Sequence, residues 1–433
     1  MSRLFIFINI LFIFTANTTA LTEHYAKPDP ISKQKPNPIP KQKPHSFAIP
    51  ILKDTKTGLY YTNMTVGQPP LTVNLVLDVS GSALFFQCGG YKSTSYDSIL
   101  CGSRCCSTPK DECFHNTCYG DFRPTCRKET CISGDVKSHL GVTSELNDLL
   151  KDNVILSYSL SSSENLAPKL PVRARLVCIN FFDAYTELPY GANGVLGLAN
   201  SSASFVTDLA SSYKISLKVA LCLPSKSGKD YSGNAFIGGR PSLLPPNRED
   251  VTSLMVSTPL MKLKHEPITI YAIDVQSIEV NGKKVASIKN SGPWGNALIG
   301  RPFPYTSLET SVYDALVKTF AEKAHKTNAV APFTNCFSYE SFGGKSLLGK
   351  EVPVISLVLG GGAKWDIYGS NSLVKVNENV VCLAFERGYN EVYTIDIGLY
   401  QMEDNLVDFD LDTSKFSVTS SLLRHNTSCS RDS

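Results

Sequence analysis

Two segments of the sequence share one form, an apolar strand that leads into a loop, and together they could build one site. In the first, the alternating run Leu71–Leu77 delivers Asp78 into a loop of small residues. In the second, Ala297–Ile299 leads into a loop that begins at Gly300. Two carboxylates that share one proton can serve as base and acid in hydrolysis. Gly300 carries no titratable group, so Asp78 has no such partner in the second loop.

The residues around Asp78 resemble the pepsin-like aspartic proteases. Asp78-Val79-Ser80-Gly81 stands where that family has Asp-Thr/Ser-Gly-Ser/Thr, and Leu84–Cys88 keeps the spacing of the next strand. Counting back from Tyr313 along the family's second loop places Gly300-Arg301-Pro302 on its second acidic triplet. Further matches follow in order at residues 191–198, 220–224, 401–404 and 408–410. The resemblance covers roughly residues 46–433 and implies a mainly β, bilobal pepsin-like fold with a cleft between two β-rich lobes.

The missing second acid argues against peptide hydrolysis. A lone Asp78 lacks the acid that would protonate the scissile carbonyl. If the two loops meet as they do in the family, Arg301 would lie beside Asp78 and hold it ionised. The alternative for Asp78 is a loop acid that accepts hydrogen bonds from neighbouring backbone N–H groups. We therefore expect a protein that is not a protease, and the resemblance implies no cofactor.

The N-terminal residues have the composition of a targeting segment and a spacer. Residues 1–20 combine Arg3, the apolar run Leu4–Phe14 and small residues ending at Ala20, which predicts a secretory signal peptide. Residues 21–45 repeat Lys-Gln-Lys-Pro, which favours a disordered leader or, alternatively, an arm for acidic cell-wall polysaccharide. A net charge of +3 gives no indication of nucleic-acid binding. No later segment is apolar enough to predict a membrane span.

Thirteen cysteines behind a signal peptide predict disulfides. Eight of them lie in the range 88–131, and the alternative for this cluster is a zinc site that includes His115. No other histidine has the spacing of a metal ligand, so we expect bridges and no metal.

The family's cysteine pattern implies particular pairs. It joins Cys336 to Cys382 in the second lobe, and Cys222 to Cys429 so that the C-terminal tail is tied to the first lobe. It also makes Cys105 the spare thiol of the odd count. The remaining seven clustered cysteines and Cys178 would then form four further bridges.

Alternating apolar patterns and turn residues dominate the chain after residue 45. They predict strands at Leu71–Leu77, Val154–Leu160, Val172–Phe182 and Thr269–Val280, the last followed by a hairpin at Asn281-Gly282. Helical periodicity is confined to Ser202–Ser212 and Val312–His325. A polar, Pro-rich stretch ending near residue 250 predicts a boundary between a Cys-rich N-terminal lobe, 46–248, and a C-terminal lobe, 249–433.

Sequons stand at Asn63, Asn200 and Asn426, so N-glycosylation is available on a secretory route. We expect a secreted protein of the extracellular space or cell wall.

The whole pattern is similar to a plant branch of the pepsin-like proteins. This branch holds the xylanase inhibitors, the xyloglucan-specific endoglucanase inhibitors, the extracellular dermal glycoproteins, the basic 7S globulins and the gamma-conglutins. The resemblance implies inhibition of secreted glycoside hydrolases by a cation from the C-terminal tail, at His425 or Arg424. It also implies contacts from the loop that replaced the second acidic motif, through Arg301, Phe303 and Tyr305.

One observation argues against a role for His425, and two alternatives to the inhibitor interpretation stay open. A glycan on Asn426 would obstruct insertion of the neighbouring His425 into a narrow cleft. The relatives of the branch include seed globulins, so a storage or ligand-binding protein of a seed vacuole or protein body is a second interpretation. An active aspartic endopeptidase is the third, and Gly300 argues against it.

Overall fold

A computed structural model describes most of the chain after residue 42. The described residues are 43–99, 111–114, 130–133, 136–141, 143–144, 147–162, 166–179, 182, 184, 187–201, 204–244, 249–261, 270–288, 297–322, 324–388 and 393–432. They all belong to one compact unit, Pro40–Ser433. The predicted signal peptide, most of the Lys/Pro-rich leader, Cys105 and His115 lie outside the described residues.

Short β-strands make up most of the described chain. The first sixteen are β1 (Ser46–Lys53), β2 (Tyr60–Val66), β3 (Leu71–Asp78), β4 (Leu84–Gln87), β5 (Asp97–Ser98), β6 (Asp111–Phe114), β7 (Thr130–Ser133), β8 (Val136–Lys137), β9 (Thr143–Ser144), β10 (Asn147–Ser159), β11 (Ala167–Ile179), β12 (Gly194–Gly197), β13 (Lys218–Cys222), β14 (Tyr231–Ile237), β15 (Leu243–Leu244) and β16 (Glu249–Asp250).

The remaining strands follow in the C-terminal half of the chain. They are β17 (Val256–Pro259), β18 (Tyr271–Ile273), β19 (Val275–Val280), β20 (Lys283–Ser287), β21 (Ala297–Ile299), β22 (Thr306–Leu308), β23 (Lys326–Thr327), β24 (Cys336–Ser338), β25 (Ile355–Leu359), β26 (Lys364–Ile367), β27 (Leu373–Lys375), β28 (Val380–Leu383), β29 (Phe385–Arg387), β30 (Ile395–Ile397), β31 (Leu406–Asp410), β32 (Lys415–Val418) and β33 (Arg431–Asp432). The expected mainly β fold class is confirmed.

One large sheet connects the two ends of the chain. Its main path runs β17-β32-β31-β13-β14-β1-β2-β3-β12-β4-β11-β10-β7-β6. The strands from β1 to β14 form the first lobe, and β31 crosses to them by pairing antiparallel with β13, where Val219 faces Phe409. The rings of Tyr271 and Phe409 lie 4.6 Å apart, so aromatic packing continues across this junction.

Strands β18 to β30 build three smaller sheets, which together are called the second lobe below. Their strand orders are β18-β21-β30-β22-β29, β20-β19-β25-β26 and β23-β24-β28-β27. The predicted hairpin joins β19 to β20, and its turn residues Asn281 and Gly282 have φ of 48° and 77°. This left-handed geometry is what Asn-Gly turns supply to a two-residue hairpin.

The helices are few, as the periodicity indicates. They are α1 (Phe205–Tyr213), α2 (Thr310–Phe320) and the single turn α3 (Gly369–Ser372). Helix α1 begins later than predicted because the Ser204 side chain accepts from the Thr207 N–H and caps the helix. Helix α2 begins earlier and ends at Phe320 rather than His325, because the Glu309 carboxylate caps its start and Phe320 is its last buried apolar residue.

Three disulfides lie within the described residues. Cys222–Cys429 and Cys336–Cys382 are the two pairs that the resemblance implies, and Cys88–Cys178 joins the clustered region to β11. Cys222 and Cys429 are buried, so the C-terminal tail is attached to the first lobe through the protein interior.

Candidate functional site

The two loops singled out in the sequence face each other between the lobes. Asp78 ends β3, and Gly300 directly follows β21. The backbone N–H of Ser80 donates to the Gly300 carbonyl at 3.1 Å, and the Ser80 hydroxyl donates to the Ile299 carbonyl at 3.1 Å. The second loop cannot return an equivalent backbone bond from its third residue, because Pro302 has no N–H. Both hydrogen bonds between the two loops are therefore donated by Ser80 of the first loop.

The backbone and the surroundings of Gly300 are both unfavourable for a side chain. Its φ is 89°, in the left-handed region that favours glycine. A Cβ built there would lie 3.1 Å from the Val79 Cβ and 3.3 Å from the Ser80 Oγ. An acid at this position would have a strained backbone, and the Val79 and Ser80 side chains would have to shift by a few tenths of an ångström.

Asp78 is completely buried, and a hairpin tip covers it. The Ser138 hydroxyl and the His139 backbone N–H each donate to Asp78 Oδ2 at 2.8 Å. The His139 Nδ1 lies 3.3 Å from both carboxylate oxygens. Asp78 thus accepts a backbone N–H, as the alternative interpretation expects, but from a residue that is distant in sequence.

Ser138 and His139 are residues of the site that the sequence reasoning missed. They lie between the two-residue strands β8 and β9, which pair with each other. Nothing in the local pattern marks them, because their partner Asp78 is 60 residues away in the chain. Ser138, His139 and Asp78 do not form a nucleophilic triad, since the Ser138 hydroxyl donates to the acid rather than to the imidazole.

Contrary to the expectation, Arg301 makes no ion pair with Asp78 within the described residues. The Arg301 guanidinium instead donates to Asp396 Oδ2 at 2.7 Å and to the Tyr393 hydroxyl at 3.0 Å. It also stacks on the Phe303 ring at 4.6 Å, and its side chain is only 17% exposed. Arg301 reaches Asp396 because the two residues are close in the sheet. Asp396 lies in the middle of β30, and the strand paired with it, β21, leads directly into the Arg301 loop.

Asp396 is a buried acid with one satisfied oxygen. Burial raises its pKa, while the charges of Arg301 and His139 oppose that shift. Within the described residues its Oδ1 has no hydrogen-bond partner. Each of the two loops is therefore associated with a buried acid, Asp78 in the first loop and Asp396 bound to Arg301 of the second, although Asp396 is not at the position that the family motif would use.

The loop after Arg301 is half-buried and rests on aromatic rings. The Tyr305 ring packs against Phe333 at 4.9 Å and Tyr400 at 5.6 Å. Burial raises the pKa of the Tyr305 hydroxyl to about 12, so it stays protonated at physiological pH. Phe303 and Tyr305 keep part of their surface open to solvent.

The C-terminal tail presents Arg424 on a short 3-10 turn, Leu422–His425. Arg424 is exposed, and its guanidinium stacks on the Tyr368 ring at 4.3 Å. His425 is half-buried, and its carbonyl accepts from the Thr427 hydroxyl. Among the described residues, no hydrogen bond, ion pair or ring contact joins this turn to the Arg301–Tyr305 loop.

Asp404, the last residue of the motif Gln401–Asp404, holds the C-terminal tail in place by hydrogen bonds. Asp404 Oδ1 accepts from the Ser428 hydroxyl at 2.8 Å and from the Cys429 backbone N–H at 2.7 Å. The disulfide Cys222–Cys429 adds a covalent anchor. The turn that carries Arg424 is therefore held at its base while the guanidinium remains open to solvent.

Glu403, the third residue of that motif, forms a buried polar cluster with Lys53 of β1 and Tyr60 of β2. Its carboxylate accepts from Lys53 at 2.5 Å and from the Tyr60 hydroxyl. Burial raises the pKa of Glu403 to about 7, although Lys53 and Tyr60 oppose the shift. Sequence reasoning missed both partners, which are more than 340 residues away.

The sequon residues Asn63, Asn200 and Asn426 are all exposed. Asn426 has φ of 52° and ends the turn that carries Arg424. Across the part of the chain that the structure describes, no helix is long and apolar enough to span a membrane. No group of three or more His, Cys, Asp or Glu residues in that part could hold a metal ion.

The β-rich lobes and the opposed Asp78 and Gly300 loops define a pepsin-like protein. Comparison with protein-family models makes this more specific. Residues 60–239 match the model "Xylanase inhibitor N-terminal", and residues 270–420 match "Xylanase inhibitor C-terminal". The chain therefore belongs to the xylanase-inhibitor family, within the plant branch of pepsin-like proteins.

Individual proteins agree with this assignment. "Probable aspartic proteinase GIP2" of Nicotiana benthamiana is 32% identical over 88% of this chain and 90% of its own length. "Gamma conglutin 1" of Prunus dulcis is 30% identical over 89% of each protein. The crystal structure of edgp superposes with a TM-score of 0.80 at 30% identity, over 90% of this chain and 98% of that one. The bilobal fold and the resemblance to this branch are both confirmed.

Proposed function

We propose that this protein is a secreted, non-proteolytic binding protein that inhibits cell-wall-degrading glycoside hydrolases. The loss of proteolysis rests on the sealed Asp78. Gly300 supplies no second acid, and the Ser138 and His139 donors occupy the Asp78 carboxylate. One fold can serve catalysis or binding, and an Asp78 that has no second acid and is bound by Ser138 and His139 favours binding.

The exposed Arg424 is the observation that carries the inhibitory part of the proposal. A retaining glycosidase holds two carboxylates about 5 Å apart at the base of its cleft. A guanidinium between them would be attracted by both and would block a sugar subsite. Arg424 meets the requirements of such a group, since it is exposed, stacked on Tyr368 and carried by an anchored turn. This anchoring reduces the conformational entropy lost on binding.

The other candidate residues take supporting roles in this proposal. His425 is adjacent to Arg424 but less exposed, so it is the second candidate for the inserted cation. Phe303 and Tyr305 supply apolar contacts, and Arg301 positions Phe303 through their stacking. A glycan on Asn426 would reduce access to the same turn. We place the protein in the extracellular space or cell wall, where its disulfides persist.

The test is a titration of microbial xylanases and xyloglucan endoglucanases with the purified secreted protein. Wild type would be compared with Arg424→Ala, His425→Ala and, as matched control, Arg387→Ala, which removes an exposed arginine paired with Asp314. We expect stoichiometric inhibition that is lost in Arg424→Ala and kept in Arg387→Ala. Inhibition retained in both tail variants would refute the role of the tail. No inhibition by wild type would favour the storage or ligand-binding interpretation.

A further inference from the structure

Tyr190 is the only aromatic residue of the described chain that is completely exposed, with 100% of its surface open to solvent. The other exposed large apolar side chains in that part of the chain, Leu71, Leu160 and Val330, keep more than half of their surface covered. An aromatic ring brings a large apolar area, and leaving it in water forgoes the stabilisation that burial would give. Since a fully exposed ring contributes nothing to the core, the fold itself does not require an aromatic residue here.

Tyr190 occupies the corner of an anchored β-turn. The Ala192 N–H donates to the Pro189 carbonyl at 3.0 Å and closes the turn. Gly191 stands at the third position with φ of 75°, a left-handed value that turns of this kind require. Pro189 is buried, so the turn begins at a fixed point. The Tyr190 ring is therefore presented to solvent on a firm base.

The turn is attached to Asn74 of β3. The Asn74 Nδ2 donates to the Gly191 carbonyl at 3.1 Å. The Asn74 backbone N–H donates to Asn193 Oδ1 at 3.0 Å, and the Asn193 backbone N–H donates to the Asn74 carbonyl at 2.9 Å. Just before the turn, Glu187 forms an ion pair with Lys56 in the connection between β1 and β2. These contacts hold the turn against β3 and beside β2.

The sequon residue Asn63 projects from the same face of these strands. Asn63 and Asn74 are directly opposite each other in the register of β2 and β3, so their side chains lie on one face with Cβ atoms about 5 Å apart. This face is the outer one, because Asn63 is exposed while its neighbours Thr62 and Met64 are buried on the other face. Asn63 is therefore separated from Tyr190 by one interstrand step, one side-chain hydrogen bond and one peptide unit.

We propose that the Tyr190 ring is the docking platform for an N-linked glycan on Asn63. The two N-acetylglucosamine units that begin such a glycan are long enough to cross this separation. The C–H face of a pyranose is an apolar surface that packs on an aromatic ring. The sequon Asn63-Met64-Thr65 supplies the attachment point in a chain that passes through the secretory route. The glycan then lies along the outer face of the first lobe and covers the ring that the fold leaves open.

Enzymatic release of the glycan from the folded, disulfide-bonded protein tests this contact. The probe is an endoglycosidase that cleaves between the two core N-acetylglucosamine units of the high-mannose protein, with each sequon followed by mass spectrometry. Packing on Tyr190 shields the cleaved bond, and an aromatic contact of ordinary strength corresponds to about two- to tenfold slower release. We expect release at Asn63 to be faster by this factor in Tyr190→Ser than in wild type, and as slow as in wild type in Tyr190→Phe.

The molecule offers matched controls for this experiment. Asn200 and Asn426 are exposed, and glycans there should be released at the same rate in all variants. Tyr61→Ser should keep the wild-type rate at Asn63, because Tyr61 projects from the same face but is half-buried. The proposal would be overturned by a secreted protein without a glycan on Asn63, or by equal rates in wild type and Tyr190→Ser. Acceleration shared by all sites, or caused by Tyr61→Ser instead, would also overturn it.

Discussion

Replacing Glu403 with Gln should remove a large part of the pH dependence of stability. Glu403 has its pKa raised from an ordinary 4.5 to about 7 by burial. The folded protein therefore keeps a proton that the unfolded chain has released. This group contributes its full stabilisation below about pH 4.5, and the contribution is lost as the pH rises to about 7.

The size of the effect follows from the shift. One pKa unit corresponds to about 1.4 kcal/mol, so the displacement of Glu403 corresponds to about 3 kcal/mol between acid and neutral pH. A glutamine keeps the shape and can still accept from Lys53 and Tyr60, but it does not titrate. The difference in unfolding free energy between wild type and Glu403→Gln should therefore change by about 3 kcal/mol across this window, with wild type losing stability as the pH rises.

Denaturant unfolding at intervals from pH 4 to 8 would measure this difference, with the disulfides kept intact. Glu322→Gln is the matched control, because Glu322 is exposed and pairs with an exposed Lys283. The control should follow the wild-type curve. If Glu403→Gln also follows it at every pH, the buried carboxylate is not linked to folding and the reasoning fails.

Three further predictions follow from the site. Gly300→Asp should not create peptidase activity and should destabilise the protein by about 1–3 kcal/mol, because a side chain at φ of 89° is strained and meets Val79; a cleavage assay and thermal unfolding would check this. Arg301→Leu should lower the free energy of unfolding by about 3–5 kcal/mol near neutral pH, because it leaves Asp396 buried and unpaired. The loss should be smaller in acid, where Asp396 takes up a proton. A loss that denaturant unfolding finds to be the same at every pH would contradict this prediction. Glycosidase treatment should lower the mass of the secreted protein through glycans at Asn63, Asn200 and Asn426, and Asn426→Gln should strengthen hydrolase inhibition; unchanged mass or weaker inhibition would count against it.

The sequence predicts the general fold because local patterns decide it. The alternation of Leu71–Leu77 matches a strand that is buried along its second half, and the turn Asn281-Gly282 has the geometry that its residue types favour. The sequence also predicts that the Asp78 and Gly300 loops face each other, since the resemblance to the pepsin-like proteins places both strand-to-loop motifs at one site. These features depend on residues that are close in the chain.

The partners in the site could not be predicted in the same way. Arg301 pairs with an acid 95 residues away, and Glu403 pairs with a lysine 350 residues away. Only the folded sheets bring these groups together. The sequence could have indicated that Asp396 has a partner. An acid between Ile395 and Ile397 in a buried strand requires a buried cation or a proton. His139 carries no comparable signal, since the strands that flank it have two residues each.

The central claim is that Asp78, sealed and facing Gly300, does not hydrolyse peptides. The most direct test is turnover of an unfolded protein substrate by the purified protein at acid pH, with and without pepstatin. Wild type and Asp78→Asn should both show only background cleavage that pepstatin does not change. Pepstatin-sensitive turnover in wild type that is absent from Asp78→Asn would contradict the account.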